Sequence, residues 1–179
     1  MTPEVPKDWQ VKTFEEIVIN SRLGTTARGD DGSATIPLIK MGNLSWGGLN
    51  LRNVEQVAIE KIDELSVLAL RDGDFLFNTR NTPELVGKSA VWHNELPDAI
   101  PDNNILRLRF DENIVPDIVC LQVSAGEGKQ RLRALAAGST SVAAIYYKDL
   151  KRLPIAVPPL PEQRKIAEIL GTVDEAIQS

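Results

Sequence analysis

The stretch that most constrains this chain runs from Pro154 to Ser179, PIAVPPLPEQRKIAEILGTVDEAIQS. Pro154, Ile155, Ala156 and Val157 read as a strand. Pro158, Pro159 and Pro161 end it, because proline has no N–H to offer a ladder. Apolar residues then fall at Ile166, Ile169, Leu170, Val173, Ala176 and Ile177, the 3–4 spacing that lines one face of a helix. Pro161 suits a first helical position, where its missing N–H leaves nothing unpaired, and Glu162 complements the positive end of the helix dipole. The pattern stops in mid-period without a cap, so a one-sided apolar helix is expected to need a partner surface.

The chain has 179 residues, 42% of them hydrophobic and 25% charged, with a net charge of −5. That composition belongs to a globular domain of ordinary size with an appendage. The apolar runs fall short of the ~20 residues of a membrane span, and the opening MTPEVPKDWQ lacks the apolar core of a signal peptide. The single cysteine, Cys120, lies among Ile118, Val119 and Leu121 and reads as a buried thiol. Together these point to the cytoplasm. The acidic balance argues against tight autonomous DNA binding, since phosphate neutralisation supplies most non-specific affinity.

Before the junction the chain reads as α+β, with a twisted sheet and short helices. Val11 to Asn20 predicts a short helix opened near Thr13, after an extended lead from which Trp9 packs on the core. Gly24 to Ser33 is a polar loop in which Arg28-Gly29-Asp30 is an ordinary turn. Ile36–Met41, Phe75–Asn78, Val86–Trp92, Ile105–Phe110 and Val142–Ile145 predict strands, the fourth half-buried from its alternation of apolar residues with Arg107 and Arg109. Pro116 opens a helix, Gly126-Glu127-Gly128 breaks it, and another runs from Lys129 to Ala137. The loop Gly42–Gly48 is either a recognition element or a wide turn with Trp46 folded inward.

Catalytic chemistry finds little support. Pro158-Pro159 follows Val157 rather than the Asn or Asp of an amino-methyltransferase motif. Gly87-Lys88-Ser89 lacks the phosphate-cradling glycine, since Thr82 occupies that position. Pro116-Asp117 with Asp149-Leu150-Lys151 is a remote metal-nuclease alternative. The sole histidine, His93, reads as a surface residue, and too few metal ligands accompany it.

Pro158–Gln163 (Pro-Pro-Leu-Pro-Glu-Gln), the pair Arg164-Lys165 and the run Ile166–Leu170 resemble the junction in DNA-specificity subunits of type I restriction-modification enzymes. Upstream, the Gly73-Asp74 turn, Thr79-Arg80-Asn81-Thr82, Val86-Gly87-Lys88 and Gly138-Ser139-Thr140 resemble the same family. The resemblance implies a target-recognition domain over 1–157, followed by a conserved proline junction and a shortened spacer helix over 158–179. It also implies a non-catalytic chain that reads one half of a bipartite target in double-stranded DNA. Methyltransferase and restriction subunits would be its partners, with S-adenosylmethionine, Mg²⁺ and ATP held on them and none on this chain. One domain with a short helix further implies either a half-subunit, two copies of which pair through their helices on a palindromic target, or a truncated form of a longer subunit.

Residue chemistry then selects candidates. Asn81, Asn103 and Asn104 suit adenine, and Lys40, Arg80 and Lys88 suit guanine or phosphate. Asn43, Ser45, Thr82, Ser139, Thr140 and Ser141 complete the DNA-facing set. Pro159, Leu160, Glu162, Gln163, Ile166, Ile169, Leu170, Val173 and Ile177 are the expected subunit interface. The competing expectation is a protein-interaction or inhibitory module that keeps the fold without binding DNA.

Overall fold

The computed structural model describes residues 5–32 and 34–178, with side chains as far as residue 171. The first half contains β1 (Gln10–Thr13), α1 (Phe14–Ile17), β2 (Val18–Leu23), β3 (Thr35–Ile39), β4 (Glu55–Ala58), α2 (Leu65–Leu68), β5 (Asp74–Asn78), β6 (Arg80–Asn81) and β7 (Ser89–Trp92). There follow β8 (Ile100–Pro101), β9 (Ile105–Phe110), α3 (Pro116–Ser124), α4 (Gly126–Arg133), β10 (Ala137–Gly138), β11 (Ala143–Ala144), α5 (Tyr147–Leu150), β12 (Pro154–Val157) and α6 (Leu160–Gln178).

The organising element is an antiparallel sheet in the order β2-β9-β5-β7. Both of its faces are covered, so β5 and β7 are buried along their whole length. On one face Phe75, Phe77, Leu108 and Phe110 pack with Phe14 and against Val119, Val123 and Leu132 of α3 and α4. Phe14, Phe75 and Phe110 meet edge-on or tilted, with ring centroids 5.4–6.2 Å apart, the geometry their quadrupoles favour. Leu76, Ala90, Trp92 and Ile105 on the other face meet Ile39 and Leu44. A smaller sheet, β4-β3-β8, shields a third cluster around Leu38, Val57 and Ile100.

The expected helix over Val11–Asn20 is instead strand, one helical turn, strand. Glu16 Oε2 accepts hydrogen bonds from the backbone N–H and hydroxyl of Thr13. That cap starts the turn, and the chain then pairs with β9 at β-branched Val18 and, past a bulge at Ile19, from Asn20 to Leu23. The expected break at Gly126-Glu127-Gly128 is the first turn of α4. Gly128 lies against the Gln122 carbonyl, where a Cβ would sit 1.9 Å from its oxygen.

Arg107 is not half-exposed but fully buried. It donates from Nη1 to the Val67 carbonyl at 2.7 Å and from Nη2 to Asn20 Oδ1 at 2.9 Å. Burial lowers its pKa, and neighbouring Arg109 adds to the effect. Arg109 closes a two-point ion pair on the buried Asp74, at 2.6 and 3.1 Å, which raises the pKa of its guanidinium. Alternation along β9 thus separates an apolar face from an arginine face, and α2 covers the latter.

β1 and β12 form a two-stranded antiparallel stem, Gln10 opposite Val157 and Thr13 opposite Pro154. From this stem α6 departs. Gln163 is 1% exposed. Its Oε1 accepts the Val115 N–H at 2.8 Å, and its Nε2 donates to the Asn113 and Pro158 carbonyls at 3.0 and 2.9 Å. Trp9 Nε1 donates to Glu162 Oε2 at 3.1 Å. Two residues expected at a subunit interface are therefore engaged within the chain, fixing the angle at which the helix leaves.

Candidate nucleic-acid interface

Register places the loops. β2 ends, β5 ends, and β7 and β9 begin at the same end of the central sheet, because Leu23 pairs with Leu106, Asn78 with Ile105 and Phe77 with Ser89. The segments 24–28, 79–88 and 102–104 therefore emerge side by side. His93, Asp111 and the start of α3 lie at the opposite end, on the side where Gln163 anchors α6. The three loop segments and the start of α6 are separated by the length of the sheet.

Asn78 organises the loop end, although sequence alone gave no reason to single it out. It is completely buried. Its Nδ2 donates to the Arg80 and Asn104 carbonyls at 3.0 and 3.3 Å, and its Oδ1 accepts from Asn81 Nδ2 at 2.9 Å. The Asn104 carbonyl also accepts from the Thr79 hydroxyl at 3.0 Å. Arg80 and Asn81 pair with Ala144 and Ala143 of β11, which in turn pairs with β10. The hairpin 139–142 is thereby carried to the same surface. Gly138 (φ +149°) opens it, and Ser139 Oγ accepts the Val142 N–H at 3.2 Å.

Of the predicted residues, Arg80, Asn81, Thr82, Lys88, Asn103, Asn104, Ser139, Thr140 and Ser141 are brought to this end. Lys40 follows β3, whose Ile39 carbonyl accepts the Asp102 N–H at 2.9 Å, so it borders the same loops; its ammonium pairs with Glu55 at 2.6 Å. Asn43 is buried: its Oδ1 accepts the Lys40 N–H, and its Nδ2 donates to the Asn50 and Asn53 carbonyls. It frames its own loop rather than presenting an amide to solvent. Ser45 is exposed in the next turn, beside Trp46, which bridges the β7 edge at Ser89. Trp46 folds inward under the Lys129 ammonium, 3.8 Å from its ring centroid. In Asn81 both amide atoms are engaged, Nδ2 with Asn78 and Oδ1 with the Thr82 N–H at 2.8 Å.

Sequence reasoning missed further members. Arg28, read as part of a plain turn, donates from Nη2 to Asp102 Oδ2 and Asn103 Oδ1, both at 3.0 Å. A groove of about 270 Å³ includes Leu23, Arg80, Asn104 and Tyr146 in its walls. On the other side of β10-β11-β6, Gln130 and Arg133 line a second groove with Pro83 and Ser139. Two acids of this end are neutralised, Asp102 by Arg28 and Glu55 by Lys40, while Glu84 is exposed in the 79–88 segment. Arg80, Lys88 and Lys148 have no carboxylate partner among the described residues. A locally cationic surface thus sits on a chain of net charge −5.

The far end has different chemistry. His93 lies between Asp72 (Nδ1 to Oδ1, 3.2 Å) and Asp117 (Nε2 to Oδ1, 3.1 Å). Desolvation lowers its pKa, but Asp117 first and then Asp72 overcome this and leave it raised. Asp117, half of the remote nuclease pattern, is committed to this histidine. Asp149 lines a separate groove with Arg131 and Arg152, and among the described residues no His, Cys, Asp or Glu cluster is arranged to hold a metal ion.

Along α6, Ile166 and Leu170 are half-buried and Ile169 is 54% exposed. Leu160 is half-buried and Pro159 exposed. Ala167, Leu170 and Gly171 border a groove of about 420 Å³ shared with Leu121 and Trp46. Val173 and Ile177 lie outside the residues whose side chains are described. Among the described residues, no helix is long and apolar enough to cross a membrane.

The body is mixed α/β, with polar loops gathered at one sheet end and a helix leaving from the other. The chain belongs to the type I restriction modification DNA specificity domain family, whose model matches residues 6–179. It is 28% identical to the type I restriction enzyme MjaX specificity subunit of Methanocaldococcus jannaschii, over 97% of this chain and 41% of that protein. With the EcoKI specificity subunit of Escherichia coli it shares 21% identity, over 90% of this chain and 34% of that one. The HsdS subunit from Thermoanaerobacter tengcongensis superposes with a TM-score of 0.69 at 18% identity, covering 98% of this chain and 44% of that one. The type I S subunit from M. genitalium gives 0.58 at 16%, covering 99% and 43%. The chain thus spans about two fifths of the length of these relatives. Its family is that of specificity components, not catalytic ones.

Proposed function

We propose that this chain reads one half of a bipartite DNA target for a type I restriction-modification complex. The observation that carries this reading is the convergence of Arg80, Lys88, Asn103, Asn104 and the 139–141 hydroxyls at one sheet end, in a member of the specificity family. Arginine and lysine position the backbone, whereas asparagine and hydroxyl groups discriminate base edges. The acidic remainder keeps non-specific affinity low, so occupancy of DNA depends on partner subunits.

In this reading α6 is the mount for a methyltransferase subunit, which flips the target adenine, and the restriction subunit joins that assembly. S-adenosylmethionine, Mg²⁺ and ATP belong to those partners. Ile166, Ile169 and Leu170, with Val173 and Ile177 beyond them, supply the contact to a second helix. Ile169→Asp with Val173→Asp is expected to lower the sedimentation mass of the assembly; an unchanged mass of a dimeric parent refutes the pairing.

Co-expression with a type I methyltransferase subunit, followed by sequencing of modified adenines, tests recognition itself. A single methylated sequence that is lost or relaxed in Arg80→Ala is the expected result. No site-specific methylation, with the chain still bound to the methyltransferase, leaves a protein-interaction module instead.

A further inference from the structure

The groove between the ends of β2 and β9 and the residues after β11 has a specific chemical division. Leu106 and Ala144 belong to its lining and are buried. Leu23 and Tyr146 also line it, yet they are 50% and 51% exposed. Half-exposed leucine and tyrosine side chains share one concavity as a partly uncovered apolar surface, with the Lys148 ammonium 5.7 Å from the Tyr146 ring centroid. Beside them stands Asn104, whose backbone is fixed: its N–H donates to Asp102 Oδ1 at 2.8 Å, and its carbonyl accepts from Thr79 and Asn78. Its side-chain amide has no partner among the described residues. Asn81, by contrast, has both amide atoms engaged.

A rigidly mounted, unpaired amide beside a partly uncovered apolar wall is complementary to one arrangement on duplex DNA. In the major groove an A·T pair presents the adenine N6–H₂ donor and N7 acceptor next to the thymine 5-methyl, whereas a G·C pair presents no methyl and a different donor order. We infer that this groove reads one A·T base pair from the major-groove side, Asn104 pairing with the adenine while Leu23 and Tyr146 receive the thymine methyl. The inference rests on the DNA-recognition reading above and adds to it a base identity and two apolar specificity residues. Arg80, in the same groove and without a carboxylate partner, contacts the flanking phosphate or guanine.

The test uses the chain assembled with its methyltransferase, on duplexes carrying the methylated sequence, with each thymine replaced in turn by uracil to remove only the methyl. Wild type is expected to bind about fourfold more weakly at one position, the value of one buried methyl-sized group of ~0.8 kcal/mol. Leu23→Ala and Tyr146→Ala should abolish that difference, Tyr146→Phe should keep it, and Asn104→Ala should relax base choice at the same pair. Leu23 lies at a strand end outside the core clusters, so its variant carries the test if Tyr146→Ala fails to fold. Sequence-selective binding with no thymine methyl mattering overturns the inference and leaves DNA recognition standing. A uracil penalty that persists in folded Leu23→Ala and Tyr146→Ala overturns it equally. Unchanged selectivity with loss of the methyltransferase from these variants makes the groove a subunit contact instead. Absence of any sequence preference in wild type removes both readings.

Discussion

Asn81 Nδ2 donates to Asn78 Oδ1 at 2.9 Å, and through this bond a loop that faces solvent is tied to a residue with no solvent exposure. Asn78 also holds the carbonyls of Arg80 and Asn104. One buried amide therefore sets the relative position of two loops that lie about 25 residues apart in sequence. Asn78→Ala removes a donor from the Arg80 carbonyl and the acceptor of Asn81 Nδ2, while the Asn104 carbonyl keeps Thr79, and should cost about 1–3 kcal/mol in urea unfolding. DNA selectivity should fall with it, although Asn78 touches no ligand.

Gly24 runs against β8 so closely that a Cβ would lie 2.0 Å from the Pro101 carbonyl oxygen and 2.5 Å from that of Asp102. Gly24→Ala must push the Thr25–Asp102 bridge apart, displacing Arg28 and Asn103 together. A loss of about 2–3 kcal/mol is expected, of the order found for overpacked sites. Amide exchange should quicken around residues 101–105 before it does so around α3.

His93 makes stability pH-dependent with a definite sign. Its folded pKa is raised, chiefly by Asp117 against the opposing effect of desolvation. The contribution is therefore fully present below its unfolded pKa and fades as pH rises through the folded value. The urea midpoint should fall as pH increases across about 6–8. His93→Gln should flatten that slope, and an unchanged slope refutes the assignment. Because the histidine is half-exposed, added salt should weaken the effect.

Gln163 joins helix to domain through three hydrogen bonds. Gln163→Ala strands the Val115 N–H and two carbonyls, costing about 2–3 kcal/mol. Limited proteolysis should then cut near Pro158–Pro161 before the domain itself is attacked.

Cys120 is 4% exposed, and burial pushes its thiol pKa up to about 12. Because the thiolate is the reactive species, native protein should resist iodoacetamide at neutral pH and label fully in urea. Labelling of folded protein would show that α3 opens.

The strong patterns were legible. Pro116, Asp74–Asn78 and the run Ile105–Phe110 gave α3, β5 and β9 because proline and β-propensity act locally there. Val11–Asn20 misled because a single capped turn between two strands has the apolar spacing of a helix. The burial of Arg107 was hidden because alternation marks two faces without saying that both are covered. At the loop end, the exposed candidates could be picked by residue type. Which asparagines have free amides depends on partners distant in sequence, so Asn43 and Asn81 looked equivalent to Asn104. Asn78 carried no signal at all: within an apolar strand it reads as the strand's end, and its role appears only when β9 brings Asn104 beside it.

The β1–β12 stem places the points where the chain enters and leaves this body on adjacent strands, with Gln10 opposite Val157. The stem is also sewn into the body: Ile155 and Val157 belong to the main core, and Ala156 exchanges two hydrogen bonds with the Gln122 side chain of α3, at 2.8 and 2.9 Å. A cut within β12 would therefore open the main core as well as detach α6, so the unit that stays folded must include both strands of the stem.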